Sequence, residues 1–363
     1  MRILFLAPLP PPVTGHSLIS KILLDALAER HRVDPVDLSV GSQHDGSVSA
    51  RRIKEVAKAV SATARNKRDA DVIYLTISET LAGNLKDLAI YLACGHRLKN
   101  MVVHLHGGSI GRLLFERWPI IKRVNAFFLR RVAAVVISGP AHRGIFEDAV
   151  APERLPVVFN FAPDDLLVDE DVLAGKFAAV DRLKVLYLSG MAAEKGSHDL
   201  LDAYALLEPA ERAKMQLDFA GRFDSDADRA QFLERIAGMS GVSYHGIVDD
   251  ARKRQLFADS HVFCLPSSMF EGQPISILEA YASGCVVIAS RQPGIRDIFT
   301  DGANGFEVTP GDPPSIAAAL RKALAANDLA DIAAHNRQSA VQRYTRERYV
   351  DEMEDILLQA AAR

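Results

Sequence analysis

Short apolar runs alternate with amphipathic segments along almost the whole of this 363-residue chain. A run of roughly 4–8 apolar residues between helical segments is typical of a strand that is buried on both faces, as in parallel sheets. In the first half, helical spacing of leucines and isoleucines predicts a helix from about Ser17 to Arg30. The predicted strands of this half are Arg2–Pro8, Asp71–Ile77, Met101–His106, Ala134–Ser138 and Leu155–Phe159.

The same pattern restarts after Phe161. Residues 162–182 are rich in Asp and lack strand character, so we predict a linker there. A helical tail, from about Ser315 to Ala361, ends the sequence. The predicted strands of the second half are Lys184–Ser189, Gln216–Ala220, Val242–His245, Val262–Pro266 and Val286–Ala289.

These patterns predict an α/β protein with two doubly wound, Rossmann-like domains. We place the first domain at residues 1–165 and the second at 180–340. We expect a C-terminal helix, at 341–363, that packs back on the first domain. Open parallel sheets bind ligands beyond the carboxyl ends of their strands, so two sheets that face each other would place a site in a central cleft.

The composition fits a globular protein that can bury a sizeable core, with 48% hydrophobic and 25% charged residues. Three widely separated cysteines argue against a disulfide framework and indicate a reducing compartment. Residues 3–7 are apolar, but Arg2 is the only basic residue before them and prolines end the run, which is not the pattern of a signal peptide. No stretch reaches the ~20 apolar residues of a membrane span. We therefore expect a cytoplasmic protein.

The charge is unevenly distributed. Residues 1–165 hold 22 Lys/Arg against 16 Asp/Glu, whereas the remainder holds 21 against 30. Basic residues concentrate in segments 51–68 and 110–131, and the second segment interleaves them with aromatic side chains. Such segments suit an anionic membrane surface, and the alternative is a solvated helix face with its aromatics in the core. Nucleic acid is not an expected partner, since no recognition motif is present. The residues assigned to this acceptor- or membrane-facing surface are Arg112, Arg117, Trp118, Lys122 and Arg123.

The segment Leu265–Ser290 carries the most specific chemical signal. A predicted strand ends near Pro266, a loop carries Glu271, and Pro274 suits the first turn of a helix that ends near Gly284. Free backbone N–H groups at a helix start form an anion site, and a glycine beside them allows close approach. Glu271 before the helix and Glu279 within it could accept hydrogen bonds from sugar hydroxyls at two separate points. The alternative is a pair of solvated surface glutamates.

This segment resembles the E-x7-E motif of retaining nucleotide-sugar glycosyltransferases of family 4 (group 1), which have the GT-B fold. The resemblance implies that Glu271 contacts the donor sugar and that Glu279 binds the ribose hydroxyls of the nucleotide. It also implies that the backbone between them holds sugar and phosphate oxygens. The residues of this backbone are Gly272, Gln273, Pro274 and Ile275.

Two further stretches extend the resemblance. Leu186–Gly196 is similar to the family's G-R-L-x-x-E-K-G motif, which implies that Lys195 binds the donor phosphates. The family's arginine position falls on Gly190 here, and Arg222, in a loop after the next predicted strand, is the candidate substitute. Gly15, near the start of the first predicted helix, matches a glycine-containing loop that approaches the phosphates and the acceptor.

The predicted strand Met101–His106 carries two histidines, His104 and His106, at alternate positions. His106, at its end, resembles the active-site histidine of the family, which contacts the donor sugar. For His104 we favour a structural role. Asn160 resembles the asparagine that opens the interdomain linker in family members, where its role can be structural.

The resemblance implies a retaining transfer of a sugar from a nucleoside diphosphate to a saccharide or polyprenyl-diphosphate-linked acceptor, in cell-surface polysaccharide biosynthesis. We expect a UDP-sugar as the donor, with GDP-sugars as the alternative, and no cofactor or metal. Asp224 and Asp226 look like a metal-binding D-x-D motif, but we favour a polar loop. The absence of a G-x-G-x-x-G fingerprint after the first strand argues against an NAD enzyme. The alternative functions are a nucleotide-sugar 2-epimerase and a non-catalytic nucleotide-sugar-binding subunit.

Overall fold

The computed structural model describes residues 1–39 and 50–363, with side chains at 1–39 and 53–363. The chain divides into two units, each with a sheet of its own. One unit, called the N-terminal unit here, consists of Met1–Phe159 together with Glu347–Arg363. The other, the C-terminal unit, is Asn160–Arg346.

In the N-terminal unit, the described strands form one parallel sheet in the order β2-β1-β3-β4-β5. Strands β3, β4 and β5 are buried along their whole length, as their apolar sequences predict. Helices cover the sheet, and a π-helical turn at Gly111–Glu116 precedes the last of them. The strands are β1 (Arg2–Ala7), β2 (Arg32–Asp37), β3 (Val72–Thr76), β4 (Met101–Leu105) and β5 (Ala134–Ile137). The helices are α1 (Gly15–Arg30), α2 (Ala50–Asn66), α3 (Leu81–Cys94) and α4 (Pro119–Leu129).

Strand β2 was missed by the sequence analysis, and the predicted strand Leu155–Phe159 was wrong. The sequence of β2, RVDPVD, lacks a continuous apolar run because the strand lies at the sheet edge, pairs with β1 alone and stays partly exposed. An edge strand also tolerates its proline. Residues 155–159 make a single bridge, between Val157 and Ile137. Pro156 lacks a backbone N–H to donate, which explains why an apolar run fails to continue as a ladder here.

The described strands of the C-terminal unit form a second parallel sheet, in the order β11-β10-β9-β6-β7-β8. The strands are β6 (Leu183–Leu188), β7 (Met215–Ala220), β8 (Val242–Tyr244), β9 (Val262–Leu265), β10 (Val286–Ser290) and β11 (Gly305–Val308). The helices are α5 (Glu170–Ala178), α6 (Ser197–Ala205), α7 (Pro209–Ala213), α8 (Asp226–Ile236), α9 (Asp250–Asp259), α10 (Ile275–Ala282), α11 (Pro293–Arg296), α12 (Pro313–Ala325) and α13 (Leu329–Arg343).

The predicted linker and helical tail need correction. Residues 162–182 contain α5, and the edge strand β11 was missed. The tail is not continuous, because α12 and α13 are separated by a short break before Leu329 and a last helix, α14 (Arg346–Ala361), follows. Among the described residues, no helix has both the length and the apolar character that crossing a bilayer requires.

Helix α14 is held to the N-terminal unit by its polar residues. Glu354 accepts hydrogen bonds from Arg30 and His31 at the end of α1, at 2.6 Å each. Asn100 donates to the carbonyl of Ala360 at 2.9 Å. The final helix therefore packs with residues that lie more than 250 positions earlier in the sequence.

Candidate active site

Glu271 lies in the loop between β9 and α10, at the carboxyl end of the second sheet. Pro274 is the N-cap residue of α10, which ends at Ala282, so the boundaries agree with those predicted. Glu271 is 7% exposed and Glu279 is 6% exposed. Both carboxylates are therefore largely removed from water, which excludes the interpretation of two solvated glutamates.

Lys195 contacts Glu271 directly. Its ammonium nitrogen donates to both carboxylate oxygens, at 2.8 and 2.9 Å. The two residues are 76 positions apart in the sequence. The structure thus joins two residues that the sequence analysis assigned to one site from separate motifs.

A backbone contact explains how Lys195 reaches Glu271. Lys195 ends a short helical turn, and the carbonyl of Glu194 in that turn accepts the N–H of Ser268 at 2.8 Å. Gly196 follows with φ of +83°, and a Cβ there would lie 2.4 Å from the carbonyl oxygen of Pro266. Only glycine fits this close approach, so the turn is fixed against the end of β9.

A second glycine supports the Glu271 loop from the other side. A Cβ on Gly294, in α11, would lie 1.6 Å from the carbonyl oxygen of Gly272. The backbone of α11 therefore packs directly on the loop that precedes α10. This role was not predicted, because a glycine in a short helix carries no signal of a distant backbone contact.

Glu279 has a cationic partner that sequence reasoning also missed. Lys253, in α9, donates to its carboxylate at 3.0 Å, and the Lys253 side chain is 16% exposed. Burial alone would lower the pKa of Lys253, but the charge and hydrogen bond of Glu279, together with the charges of Asp250 and Asp165, raise it above its usual value. The two glutamates of the motif thus each pair with a lysine from another element.

Gln273 has a structural contact. Its side-chain oxygen accepts the backbone N–H of Asn160, and its carbonyl accepts the Asn160 side-chain amide at 3.1 Å. Asn160 therefore ties the first residues of the C-terminal unit to the Glu271 loop. Because Asn160 engages both the carbonyl and the side-chain oxygen of Gln273, the predicted role leaves only the backbone N–H of Gln273 to face the donor.

The other donor-site candidates of the C-terminal unit lie at the same sheet edge. Gly190 follows β6, and its carbonyl accepts the hydroxyl of Tyr187 at 2.8 Å. Arg222 follows β7 and is exposed, and its carbonyl accepts the N–H of Met191. Pro274 and Ile275 are half-buried at the start of α10, beside the buried Gly272.

His106 lies at the carboxyl end of the first sheet, directly after β4. Its ring packs against those of His104 and His16, with centroids 3.9 and 4.4 Å apart and the ring planes tilted by 33° in each pair. The Tyr74 hydroxyl lies 2.9 Å from Nδ1 of His104 and 3.4 Å from Nε2 of His106. His16, in the first turn of α1, was not singled out from the sequence.

Burial keeps this cluster of imidazoles neutral. It lowers the pKa of His16 to about 4, with Lys86 adding to the effect, and the pKa of His104 to about 3, with His16 adding. Burial, together with the two neighbouring histidines, lowers the pKa of His106 well below its usual value. His106 can therefore offer a neutral hydrogen-bonding edge near pH 7.

Helix α1 begins at Gly15, two residues earlier than predicted. Thr14 is the N-cap and accepts the N–H of Ser17, while the Ser17 side chain accepts the N–H of Thr14. This capping box places Gly15 in the first turn. Gly15 is exposed, in the helix that follows β1.

The basic segment 110–131 forms the π-helical turn, α4 and the residues around them. Trp118 is 44% exposed and Phe127 is 51% exposed, whereas Phe128 is buried. Arg131 lies over the Phe127 ring, and Lys122 pairs with Asp148 at 2.8 Å. The side chains of Arg112, Arg117 and Arg123 are exposed or half-exposed along the same segment. In the other basic segment, Arg51 and Arg52 fall outside the residues whose side chains are described.

The D-x-D sequence at Asp224–Asp226 caps a helix. Ser225, between the two aspartates, is the N-cap of α8 and accepts the N–H of Asp228 at 3.1 Å. Across the described residues, no group of three or more His, Cys, Asp or Glu side chains could hold a metal ion.

Comparison with known proteins identifies the family. A sequence profile described as glycosyl transferases group 1 matches residues 182–326. A phosphatidyl-myo-inositol mannosyltransferase of Mycobacterium tuberculosis is 37% identical over 270 residues, which cover 67% of this chain and 69% of the relative. The chain belongs to the group 1 glycosyltransferases.

A more distant relative is matched over a smaller share of its own length. An uncharacterized glycosyltransferase of Methanocaldococcus jannaschii is 22% identical over 250 residues, which cover 67% of this chain and 59% of the relative. The match therefore spans less than two thirds of the archaeal protein's length.

The fold of this group 1 glycosyltransferase is the GT-B fold predicted from the sequence. A crystal structure of Anabaena HepE in complex with UDP-glucose has a TM-score of 0.75 to it, at 20% identity, over 99% of both chains. At this level of identity the similarity establishes the fold.

Proposed function

We propose that this protein is a retaining glycosyltransferase that uses a nucleoside-diphosphate sugar and transfers the sugar to a saccharide or lipid-linked saccharide acceptor of a cell-surface polysaccharide pathway. The observation that carries the proposal is the Lys195–Glu271 contact beside the N-terminus of α10. An ammonium group, free helix N–H groups and a buried carboxylate meet at one sheet edge. A nucleoside-diphosphate sugar carries its diphosphate beside its sugar hydroxyls, so its binding site requires these groups next to each other.

The chemical difficulty in this reaction is the separation of an anionic diphosphate from a cationic sugar carbon. Lys195 and the N–H groups that begin α10 would stabilise the charge that develops on the diphosphate. Glu271, held by Lys195, would orient the donor sugar, as the family resemblance assigns. In this scheme Glu279 holds the ribose, and the diphosphate itself accepts the proton of the acceptor hydroxyl.

A UDP-sugar is the proposed donor, and GDP-sugars are the alternative. HepE, which shares the fold, was crystallised with UDP-glucose. A thermal-shift panel of UDP-glucose, UDP-galactose, UDP-N-acetylglucosamine and GDP-mannose tests this choice, because a bound donor stabilises the folded state by mass action. Glu279→Ala should abolish the shift, and the exposed Glu208→Ala should retain it. A panel with no shift would contradict the proposed function.

The reaction is proposed to proceed without a metal or cofactor. Turnover of the preferred donor should be unchanged by EDTA, and added Mg²⁺ or Mn²⁺ should not raise it. Activity that EDTA abolishes and Mn²⁺ restores would contradict this part of the proposal. Consumption of the donor with no acceptor present, with formation of a 2-epimer, would instead indicate an epimerase.

We also propose that the N-terminal unit docks on an anionic membrane surface at the cytoplasmic face. Exposed aromatic and aliphatic side chains alternate with exposed arginines here: Leu113 and Ile120 are 57% and 73% exposed, beside Arg117 and Trp118. Basic residues near anionic lipid contribute about 1 kcal/mol each. Flotation with phosphatidylglycerol vesicles should be lost in Arg117→Glu and retained in Lys214→Glu, which changes an exposed lysine of the C-terminal unit.

A further inference from the structure

One ammonium group joins the carboxyl-terminal ends of two helices in the C-terminal unit. It belongs to Lys176, in α5, and has three N–H donors. The nitrogen donates to the carbonyl oxygens of Ser283, Phe257 and Gly284, at 2.7, 3.1 and 3.5 Å. Phe257 lies in the last turn of α9, and Ser283 is the C-cap residue of α10. The lysine thus comes from the segment 162–182, for which the sequence predicted only a linker.

The two helix ends need this donor because they are buried. The last carbonyl groups of a helix have no partner within the helix, and water supplies one where the end is exposed. Phe257 and Ser283 are 0% and 1% exposed, and Gly284 is also buried. A lysine near a helix C-terminus can donate to these carbonyls, and its charge suits the negative end of the helix dipole. Lys176 therefore takes the place of solvent at both ends.

The contact made by Lys176 lies one helical turn beyond the Lys253–Glu279 pair. In α9, Phe257 is four residues after Lys253, and in α10, the C-cap Ser283 is four residues after Glu279. Residues four apart lie on the same face of a helix, about 6 Å apart along its axis. The backbone N–H of Ser283 also donates to the carbonyl of Glu279 at 3.0 Å. Two bridges one turn apart thus fix both the distance between α9 and α10 and their relative rotation.

The backbone of Lys176 is held in turn by a neutral histidine. Nδ1 of His261 accepts the backbone N–H of Lys184 at 3.0 Å, and Nε2 donates to the carbonyl oxygen of Lys176 at 3.0 Å. Burial lowers the pKa of His261 to about 4, so the ring keeps a single proton near pH 7. The ring therefore connects β6 to the last turn of α5 and fixes the point from which the Lys176 side chain extends.

We propose that Lys176 is a positioning residue for donor binding, which fixes α9 against α10 and thereby places Glu279 and its partner Lys253 where the ribose of the nucleotide binds. This inference rests on the proposed function, in which Glu279 holds the ribose. The Glu271 loop is held separately, by the close packing of Gly294. Loss of the Lys176 ammonium should therefore weaken donor binding through Glu279 rather than through Glu271.

Calorimetric titration of the full chain with UDP-glucose and GDP-mannose tests the proposal, at a temperature where every variant is folded. Lys176→Met keeps the aliphatic stem and removes the N–H donors, so it should weaken the preferred donor about tenfold. Lys176→Arg keeps N–H donors, and the cavity of about 440 Å³ that Lys176 lines has room for the larger guanidinium, so it should bind nearly as the wild type does. A Kd that Lys176→Met leaves unchanged, at reduced stability, would overturn the proposal.

Lys184→Met is the matched control. Lys184 lines the same cavity and is half-buried, as Lys176 is, but it lies on β6. The variant should bind the donor as the wild type does. An equal loss of affinity in Lys184→Met would show that the charge of the cavity matters rather than the contact with the helix ends, and would overturn the assignment. Lys176→Gln is the milder change, should give an intermediate loss, and carries the test if Lys176→Met does not fold.

A double variant separates positioning through the Lys253–Glu279 pair from a general loss of packing. If both lysines act through Glu279, Lys176→Met combined with Lys253→Met should bind the donor little more weakly than Lys253→Met alone. Losses of affinity that multiply would show that Lys176 acts by another route, which would overturn the proposal.

The wild type separates a failure of this inference from a failure of the proposed function. If the wild type binds UDP-glucose or GDP-mannose and Lys176→Met binds it equally well, the positioning role is wrong and the proposed function stands. If the wild type binds no nucleotide sugar of the panel, the proposed function fails, and this inference fails with it.

Discussion

The two parallel sheets both carry polar residues at their carboxyl edges, but the two sets of residues differ in charge. The C-terminal unit presents two lysine–glutamate pairs, Lys195 with Glu271 and Lys253 with Glu279. The N-terminal unit presents three imidazoles in contact, which burial keeps neutral. One edge is thus built from formal charges and the other mainly from uncharged hydrogen-bonding groups.

Under the proposed function, this difference would divide the substrates between the two units. A diphosphate carries charge that must be stabilised as it leaves, and the ammonium and helix N–H groups of the C-terminal unit would do so. An acceptor hydroxyl is uncharged and is better oriented by neutral or already paired groups. The comparison therefore predicts that electrostatic changes affect the two units differently.

The largest effect is expected at the Lys195–Glu271 pair. Lys195→Ala and Glu271→Ala should each reduce turnover by on the order of a hundredfold, the usual loss when one charge-stabilising group is removed. The double variant should lose little more than either single variant, because the two side chains act as a unit. Lys214→Ala is the control for the loss of a lysine. Wild-type rates in both single variants would show that Lys195 and Glu271 do not have the assigned catalytic roles.

The second pair should affect donor binding and stability more than chemistry. Lys253→Met leaves the 6% exposed carboxylate of Glu279 unpaired, which should cost about 2 kcal/mol of folding free energy and weaken the donor about tenfold. Chemical denaturation and the donor thermal shift measure the two effects. An unchanged Kd for the donor, at reduced stability, would show that Lys253 is purely structural.

The imidazole cluster should make the N-terminal unit sensitive to acid. Below about pH 6.5 the histidines of the unfolded chain bind protons, whereas folded His16 and His104, with pKa values of about 4 and about 3, remain neutral to lower pH. The unfolded state then binds more protons, so stability falls as the pH falls, by roughly 1–2 kcal/mol per histidine at pH 5.

Urea midpoints between pH 7.5 and pH 5 measure this effect. His104→Gln should reduce the slope of stability against pH, and His96→Gln, which changes an exposed histidine of the same unit, should leave it unchanged. Equal slopes in all three proteins would mean that the cluster is hydrated or protonated in solution.

The smallest effect on stability is expected at the exposed basic segment. Trp118→Ser should change the free energy of unfolding by less than about 0.5 kcal/mol, because the side chain is 44% exposed. The same variant should reduce vesicle binding. A large loss of stability would place Trp118 in the core and favour the alternative of a structural helix face.

The chemical motifs were predictable to a large extent because they are local in sequence. Glu271, Pro274 and Glu279 lie within one strand–loop–helix segment, whose spacing sets their positions on α10. The edge strands β2 and β11 were not predictable in the same way, since an edge strand needs no continuous apolar run. The apolar run at residues 155–159 shows the converse case. Its residues are buried or half-buried, but they form one bridge and no strand ladder.

The sequence by itself determined the α/β class, the loop that carries Glu271 and the family to which the chain is similar, because periodicity and short motifs depend on neighbouring residues. Only the tertiary structure decided which charges meet. Lys253 pairs with Glu279 across 26 positions, and the His16 ring packs against that of a histidine 90 positions away. Such contacts depend on how strands are ordered in a sheet and on close approaches such as that of Gly294. The side chains involved leave no periodic signal along the chain.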